Sequence, residues 1–277
     1  MTVAMNFVAI RAQQTGAVLH IYLNRPASRN AMSLQMVREL REVLATAEAS
    51  AGHPEAVRVL VLRGEGGHFC AGADLKDMAD ARMQTLQKAE GDNSDPIAQV
   101  NAEFGRLSLA YANTPLAVVA VLEGTVMGGG FGLACVADVA IATETASFRL
   151  PETGLGVVPA QIAPFLVERL GYSQAKRLAV TGGRLNAQEA MRIGLVHTAV
   201  DSAGLQAELD KVLGEILACA PGALAVTKAL IAKAKLNEPQ TLIDEAARLF
   251  SQAAQGTEAI EGMSAFMQKR KPQWAMS

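Results

Sequence analysis

The apolar run from Pro115 to Thr143 carries four glycines within five positions, 128, 129, 130 and 132, in the stretch GTVMGGGFGLACVAD (124–138). Glycine inside a helix or strand costs about 0.5–1 kcal/mol relative to alanine. Such a cluster therefore marks a place where the backbone turns sharply or something approaches it closely. The run before it, PLAVVAVLEG (115–124), has the composition of a buried strand, and the segment after it is apolar again. A chain with this feature turns tightly between a strand and a helix deep in its own core. Glu123, Asp138 and the glycines interrupt the run, so it offers no stretch of about 20 apolar residues to span a membrane.

The rest of the chain repeats the pattern. AVLHIYLN (17–24) and VRVLVLRG (57–64) read as buried strands ending at turn residues, and VAIATE (139–144) as another. The first of these follows MTVAMNFVAIRAQQTG, which forms a strand pair with it rather than a leader. Ser33 is a good N-cap for a helix that places Met36, Leu40 and Leu44 on one face. Strands alternating with helices predict an α/β fold. From Pro159 onward the patterns become helical, as in AQIAPFLVERLG, SQAKRLAVTG and NAQEAMRIG, with LVHTAV (195–200) the one strand-like exception. The expected division is an α/β core over residues 1–200 and a helical region over 201–277. A helical tail of this kind commonly supplies an oligomer interface. The polar stretch 77–100, with turn residues at 91–96, is expected to be the most mobile.

Half of the 277 residues are hydrophobic and 19% are charged, the composition of a globular chain with a substantial core. A net charge of −2 argues against nucleic-acid binding through a global basic field. Cys70, Cys135 and Cys219 lie far apart with no CxxC spacing, suggesting neither a disulfide framework nor a zinc site. A cytoplasmic location and no metal are expected. The sequence has no GxxxxGK[ST], HExxH or GxSxG motif, and the glycine cluster lacks dinucleotide spacing.

Two strand–turn–helix segments remain, GGHFCAGADLKDM (66–78) and the glycine cluster. Helix starts leave N–H groups unpaired and partly positive, so two that face each other can hold one oxygen anion. Taken singly, each also reads as a tight turn with close packing. A third segment, SFRLPETGLGVVPA (147–160), sets Glu152 in apolar surroundings. A buried carboxylate is expensive unless it is paired or at work, and burial raises its pKa toward useful acid–base values. Standing alone, the same Glu fits a solvated loop or a helix's first turn. Cys70 and His68, within the first segment, raise the option of a thiol nucleophile, but a small buried residue is the simpler reading of Cys70.

Together, LNRPASRNAMS (23–33), HFCAGADLKDM, EGTVMGGGFGLACVAD, FRLPETGLGVVPA and FMQKRKPQW (266–274) resemble the crotonase (enoyl-CoA hydratase/isomerase) superfamily, in order along almost the whole chain. The resemblance implies a crotonase-like ββα superhelix core with a C-terminal helical trimerisation region. It implies an acyl-CoA thioester substrate, no cofactor beyond that coenzyme A, and a homotrimer or dimer of trimers without nucleic-acid or membrane partners. Carried over by position, the N–H groups of Ala73 and Gly129 would form an oxyanion hole and Glu152 would be the acid/base. Ala71, Asp74, Leu75, Lys76, Arg29, Gly128, Gly132, Phe266 and Lys269 would contact substrate, Lys76 and Lys269 through phosphates and Phe266 through adenine. Hydratases of the family with two glutamates carry the first at the position of Gly132. The family's lysine after Asn-Arg-Pro is replaced here by Ala27-Ser28-Arg29, with Arg29 the available substitute.

A lone glutamate matches two kinds of relative. GGGFGLACVADVAIA and RLPETGLGVVPAQIAPFLVERLG look closest to the isohexenylglutaconyl-CoA and 3-methylglutaconyl-CoA hydratase subgroup, in which glycine also replaces the first glutamate. Isomerases that move a double bond between the Δ3 and Δ2 positions also use a single glutamate. A non-catalytic CoA- or RNA-binding relative is the alternative of another class.

Overall fold

The computed structural model describes residues 7–53, 55–88 and 92–275. Strand β1 (Ile10–Thr15) runs antiparallel to β2 (Val18–Leu23), with Thr15 opposite Val18 and Gly16 at φ +55° making the tight connection. Helix α1 (Leu34–Ala49) begins where the Ser33 hydroxyl accepts the Met36 N–H, and it buries Met36, Leu40 and Leu44. Next come β3 (Val59–Gly64), α2 (Leu75–Leu86), α3 (Pro96–Asn113), β4 (Ala117–Leu122), β5 (Thr125–Met127), α4 (Gly129–Val136), β6 (Val139–Thr143) and β7 (Ser147–Arg149). The chain continues through α5 (Ala163–Thr181), β8 (Arg184–Asn186), α6 (Ala187–Arg192) and β9 (Thr198–Val200), then α7 (Leu205–Leu217), α8 (Pro221–Ala234), α9 (Ile243–Ala254) and α10 (Thr257–Met267).

The larger sheet has the order β1-β2-β3-β4-β6-β9, parallel from β2 onward. Its alternation explains why β4 is apolar throughout. Val118, Ala120 and Leu122 face a core shared with α1 and α4, whereas Ala117, Val119 and Val121 face Leu205, Leu209, Val212 and Leu213 of α7. A strand covered on both faces has no solvent side to make polar. The same contacts seat α7, the first helix of the C-terminal region, on the sheet.

The expected strands 17–24, 57–64, 116–124 and 139–144 are present within two residues at each end, while 195–200 contributes only Thr198–Val200. The two helical patterns on either side of Gly171 form one helix, α5, broken at that glycine (φ +72°). The segment expected to be mobile forms much of α2 and the start of α3, with residues 89–91 lying outside the described residues. The smaller sheet, β5-β7-β8, was not foreseen, since three-residue strands are too short to show an alternation. Because β3 and β4 are parallel neighbours, the segments following them emerge side by side.

Candidate active site

Those two segments are laced together by main-chain bonds. Phe69 N–H donates to Glu123 O (2.8 Å), Cys70 N–H to Thr125 O (2.9 Å) and Met127 N–H to Cys70 O (2.9 Å). The fit leaves no room for side chains: a Cβ on Gly130 would lie 2.6 Å from Cys70 Cβ and 2.9 Å from Cys70 O. Asn30, fully buried, locks the 25–31 loop beneath them, accepting the Arg25 N–H and donating to the carbonyls of Glu65 and His68. Its φ of +57° suits asparagine, the residue that best tolerates the left-handed region after glycine.

Met32 pairs with the first segment across Ala73, taking its N–H to Gly72 O (2.7 Å) and receiving the Asp74 N–H (3.0 Å). In a parallel bridge the intervening residue turns its own N–H away. Ala73 is exposed, and its N–H has no partner among the described residues. Gly129 opens α4, so its N–H is one of the donors a helix start leaves over, and it also lacks a partner there. Gly128, the residue before it, has φ +49° and ψ −117°, which excludes other residues. A Cβ at Gly128 would point into a space bounded by Glu152 Oε1 (3.2 Å), Gly72 Cα (3.3 Å) and Ala73 N (4.0 Å).

Glu152 starts a 3-10 turn (Glu152–Leu155) after β7. Its Oε2 is buried without a hydrogen-bond partner, and burial holds the carboxyl pKa above its ordinary value. Glu39 shows what a structural buried carboxylate looks like. It is 4% exposed and accepts the N–H groups of Val8, Ala9 and Ile10, together with the Gln35 amide. Glu152 has no such set of donors. A buried carboxylate oxygen without a partner, beside unpaired main-chain donors, is the pattern of a candidate functional site, since structural ones are satisfied. The arrangement can hold one developing negative oxygen on main-chain donors while a carboxyl group exchanges a proton alongside.

The other residues singled out from the sequence fall into three groups. At the rim, Ala71 donates its N–H to the carbonyl of exposed Arg29 (2.9 Å), and Leu75 and Lys76 are exposed on the first turn of α2. Asp74 has structural work as well. It caps α2 by accepting the Lys76 N–H and pairs with Arg25 at 2.6 Å. Burial would raise its pKa, but that hydrogen bond and the guanidinium together hold it below the ordinary value. Phe266 and Lys269 lie on and just after α10, and no hydrogen bond or ion pair among the described residues ties either to the site. Around them Trp274 packs on Gly262 and donates to Ala218 O. Gly132 is buried, and an added Cβ would press on Ile162, whose Cγ1 would lie 3.3 Å away.

Cys70 is a core residue: it is fully buried and its thiol is pushed up to about 11, unsuited to a nucleophile. His68 accepts the Thr125 N–H on Nδ1, a structural bond. Arg25, Asn30 and Ile162 were not recognised from the sequence. Asn30 was the most accessible of these, because asparagine next to a proline turn is a left-handed candidate. Among the described residues no group of three or more His, Cys, Asp or Glu side chains is placed to hold a metal ion.

Residues 13–277 match the family model for enoyl-CoA hydratase/isomerase. The chain is similar to the crystal structure of an enoyl-CoA hydratase/isomerase from Marinobacter aquaeolei, with 48% identity and a TM-score of 0.90 over 96% of this chain and 99% of that one. It is also similar to Pseudomonas aeruginosa AtuE, with 49% identity and a TM-score of 0.90 over 97% and 100% of the two chains. A crotonyl-CoA hydratase of Syntrophomonas wolfei is 36% identical over 261 residues, 91% of this chain and 92% of the relative.

Proposed function

The chain belongs to the enoyl-CoA hydratase/isomerase family, and we propose that it hydrates the 2,3 double bond of a branched glutaconyl-CoA, isohexenylglutaconyl-CoA or 3-methylglutaconyl-CoA. The observation that carries a catalytic reading is the partnerless Oε2 of half-buried Glu152 beside the unpaired N–H groups of Ala73 and Gly129. The thioester oxygen lies on those two donors. Water adds through its oxygen to C3, its proton passing to Glu152, and the electron pair of the double bond moves onto the thioester as an enolate. Glu152 then returns the proton to C2, restoring the carboxylate and giving the 3-hydroxyacyl-CoA. One carboxylate suffices because it accepts and donates the same proton. No cofactor is needed beyond the CoA of the substrate. Ala71, Lys76 and Arg29 at the rim suit its adenosine and phosphate groups, with Leu75 and Gly128 against the acyl-pantetheine.

The glutaconyl assignment rests on Gly132. A substrate that brings its own carboxylate would be repelled by a protein carboxylate at that position in a site of low dielectric. With no side chain there, that repulsion is absent. The same lack of a second carboxylate supports a second reading, a Δ3-Δ2 isomerase in which Glu152 moves a proton between C4 and C2. Ile231, Ile243, Phe250, Ile260 and Met263 stand exposed on α8, α9 and α10, and we assign this surface to contact between copies in a homotrimer, bringing Phe266 and Lys269 to a neighbour's substrate. Light scattering should then give three or six times the chain mass.

The deciding experiment assays 3-methylglutaconyl-CoA, isohexenylglutaconyl-CoA, crotonyl-CoA and a 3-enoyl-CoA side by side, with products identified by mass. Uptake of water marks the hydratase, and a shifted double bond without water marks the isomerase. Equal hydration of crotonyl-CoA and the branched diacids would sink the repulsion argument. Glu152→Gln should lower kcat by about 10²–10⁴. Near-normal turnover in that variant would remove Glu152 from the reaction.

A further inference from the structure

Gly132 lies one helical turn beyond Gly128, and its N–H donates to the Gly128 carbonyl (3.0 Å). The two glycines present bare backbone to different neighbours. Gly128 faces the Glu152 carboxylate, and Gly132 faces Ile162 Cγ1 (3.3 Å), Ile162 Cγ2 (3.8 Å) and Ser108 Oγ (4.0 Å), measured from an added Cβ. We infer that Ile162 is a specificity-determining residue: its side chain is the wall that ends the acyl pocket over Gly132, about 6 Å along the helix from Gly128. This rests on the site reading above.

The wall is rigid. Ile162 donates its N–H to Pro159 O (3.1 Å), and its carbonyl accepts the Leu166 N–H (2.9 Å), so the backbone is held between a turn and α5. Its neighbour Gln161 donates to Asn101 (2.9 Å) and is seated on Gly105, where a Cβ would lie 2.0 Å from its amide oxygen. Residues 159–162 are thereby pinned to α3. A β-branched side chain is stiff at χ1, so it yields little to a longer acyl chain. Ile162 packs on the core yet is only half-buried. Beside its neighbour Gln161 a groove of about 780 Å³ runs between α3 and α5, lined by Leu109, Phe165, Val167 and Leu236 together with the charged Arg106, Glu168 and Lys235. Ile162 thus stands over Gly132, and shortening it lengthens the space in front of that glycine.

The test uses the full-length protein and two variants, Ile162→Val and Ile162→Ala, with straight-chain trans-2-enoyl-CoAs of four, six and ten carbons. A methylene in an apolar pocket discriminates by about 10–200-fold. Ile162→Ala should raise the ten-carbon to four-carbon ratio of kcat/KM by at least about 10-fold, with Ile162→Val between it and the parent protein. A merely structural role would lower both substrates by one factor, leave the ratio unchanged and overturn the inference. Kd values for saturated four- and ten-carbon acyl-CoAs are measured in parallel. If no enoyl-CoA turns over but the Kd ratio shifts as stated, the hydratase reading fails and the wall stands. An unchanged Kd ratio, or no acyl-CoA binding, overturns the wall.

Discussion

Replacing Gly128 with alanine probes backbone, carboxylate and donors at one atom. Its φ of +49° with ψ −117° lies outside even the small left-handed well, so an alanine there bears a strain of about 1–3 kcal/mol. The new methyl sits 3.3 Å from Gly72 Cα, which cannot move freely, and 3.2 Å from Glu152 Oε1, which can swing aside. For 277 residues the unfolding entropy is about 0.6 kcal/mol/K, so Tm should fall by about 2–5 °C. The effect on rate is larger. The methyl takes the space beside Ala73 N where the thioester oxygen would lie, and loss of one oxyanion donor costs about 10²–10³ in kcat. Gly194→Ala is the control, since Gly194 has φ +80° with nothing within 4 Å of an added Cβ. It carries the backbone strain of a positive φ without any new contact, so some loss of Tm is expected with kcat unchanged. Thermal melts and steady-state assays on both variants decide the matter. If Gly128→Ala keeps a kcat within threefold of Gly194→Ala, the space in front of Gly128 is not where the reaction occurs.

Two further outcomes follow from the carboxylates. The Glu152 pKa is raised by burial, so the native state binds the proton more tightly than the unfolded chain. Stability from this group is fully present below the ordinary value of 4.5 and is lost as pH rises through the native value. Glu152→Gln should therefore melt higher than the parent at pH 8 and the same at pH 4, and an equal offset at both pH values would refute the burial argument. Glu39→Ala strips the acceptor from three buried or half-buried N–H groups, at about 1–3 kcal/mol for each one left unpaired. Urea unfolding should show a loss of about 3 kcal/mol or more while kcat at 20 °C stays at the parent level; a catalytic defect in folded protein would contradict its structural role.

Much of the framework was legible because its causes are local. Ser33 caps α1 through a bond to a residue three positions on, and β4 is apolar because both its faces are covered. Gly171 divides the helical patterns by its own φ. The smaller sheet escaped because its pairings join residues such as Val126 and Phe148 through strands of three residues. Among site residues, Glu152 stood out as an acid in apolar surroundings, but Asp74 carried no sign that Arg25 and the start of α2 already occupy it.

The order of segments, the strand–turn–helix form of both oxyanion candidates and the solitary glutamate are properties of the sequence itself. They depend on side-chain type and short-range spacing, which any reader of the chain can see. The tertiary structure alone decided three things: the Ala73 N–H is left over because Met32 pairs across it, the Glu152 Oε2 is buried without a donor, and Ile162 stands over Gly132. Each depends on chain segments tens of residues apart coming within 4 Å, and no local propensity encodes such an approach.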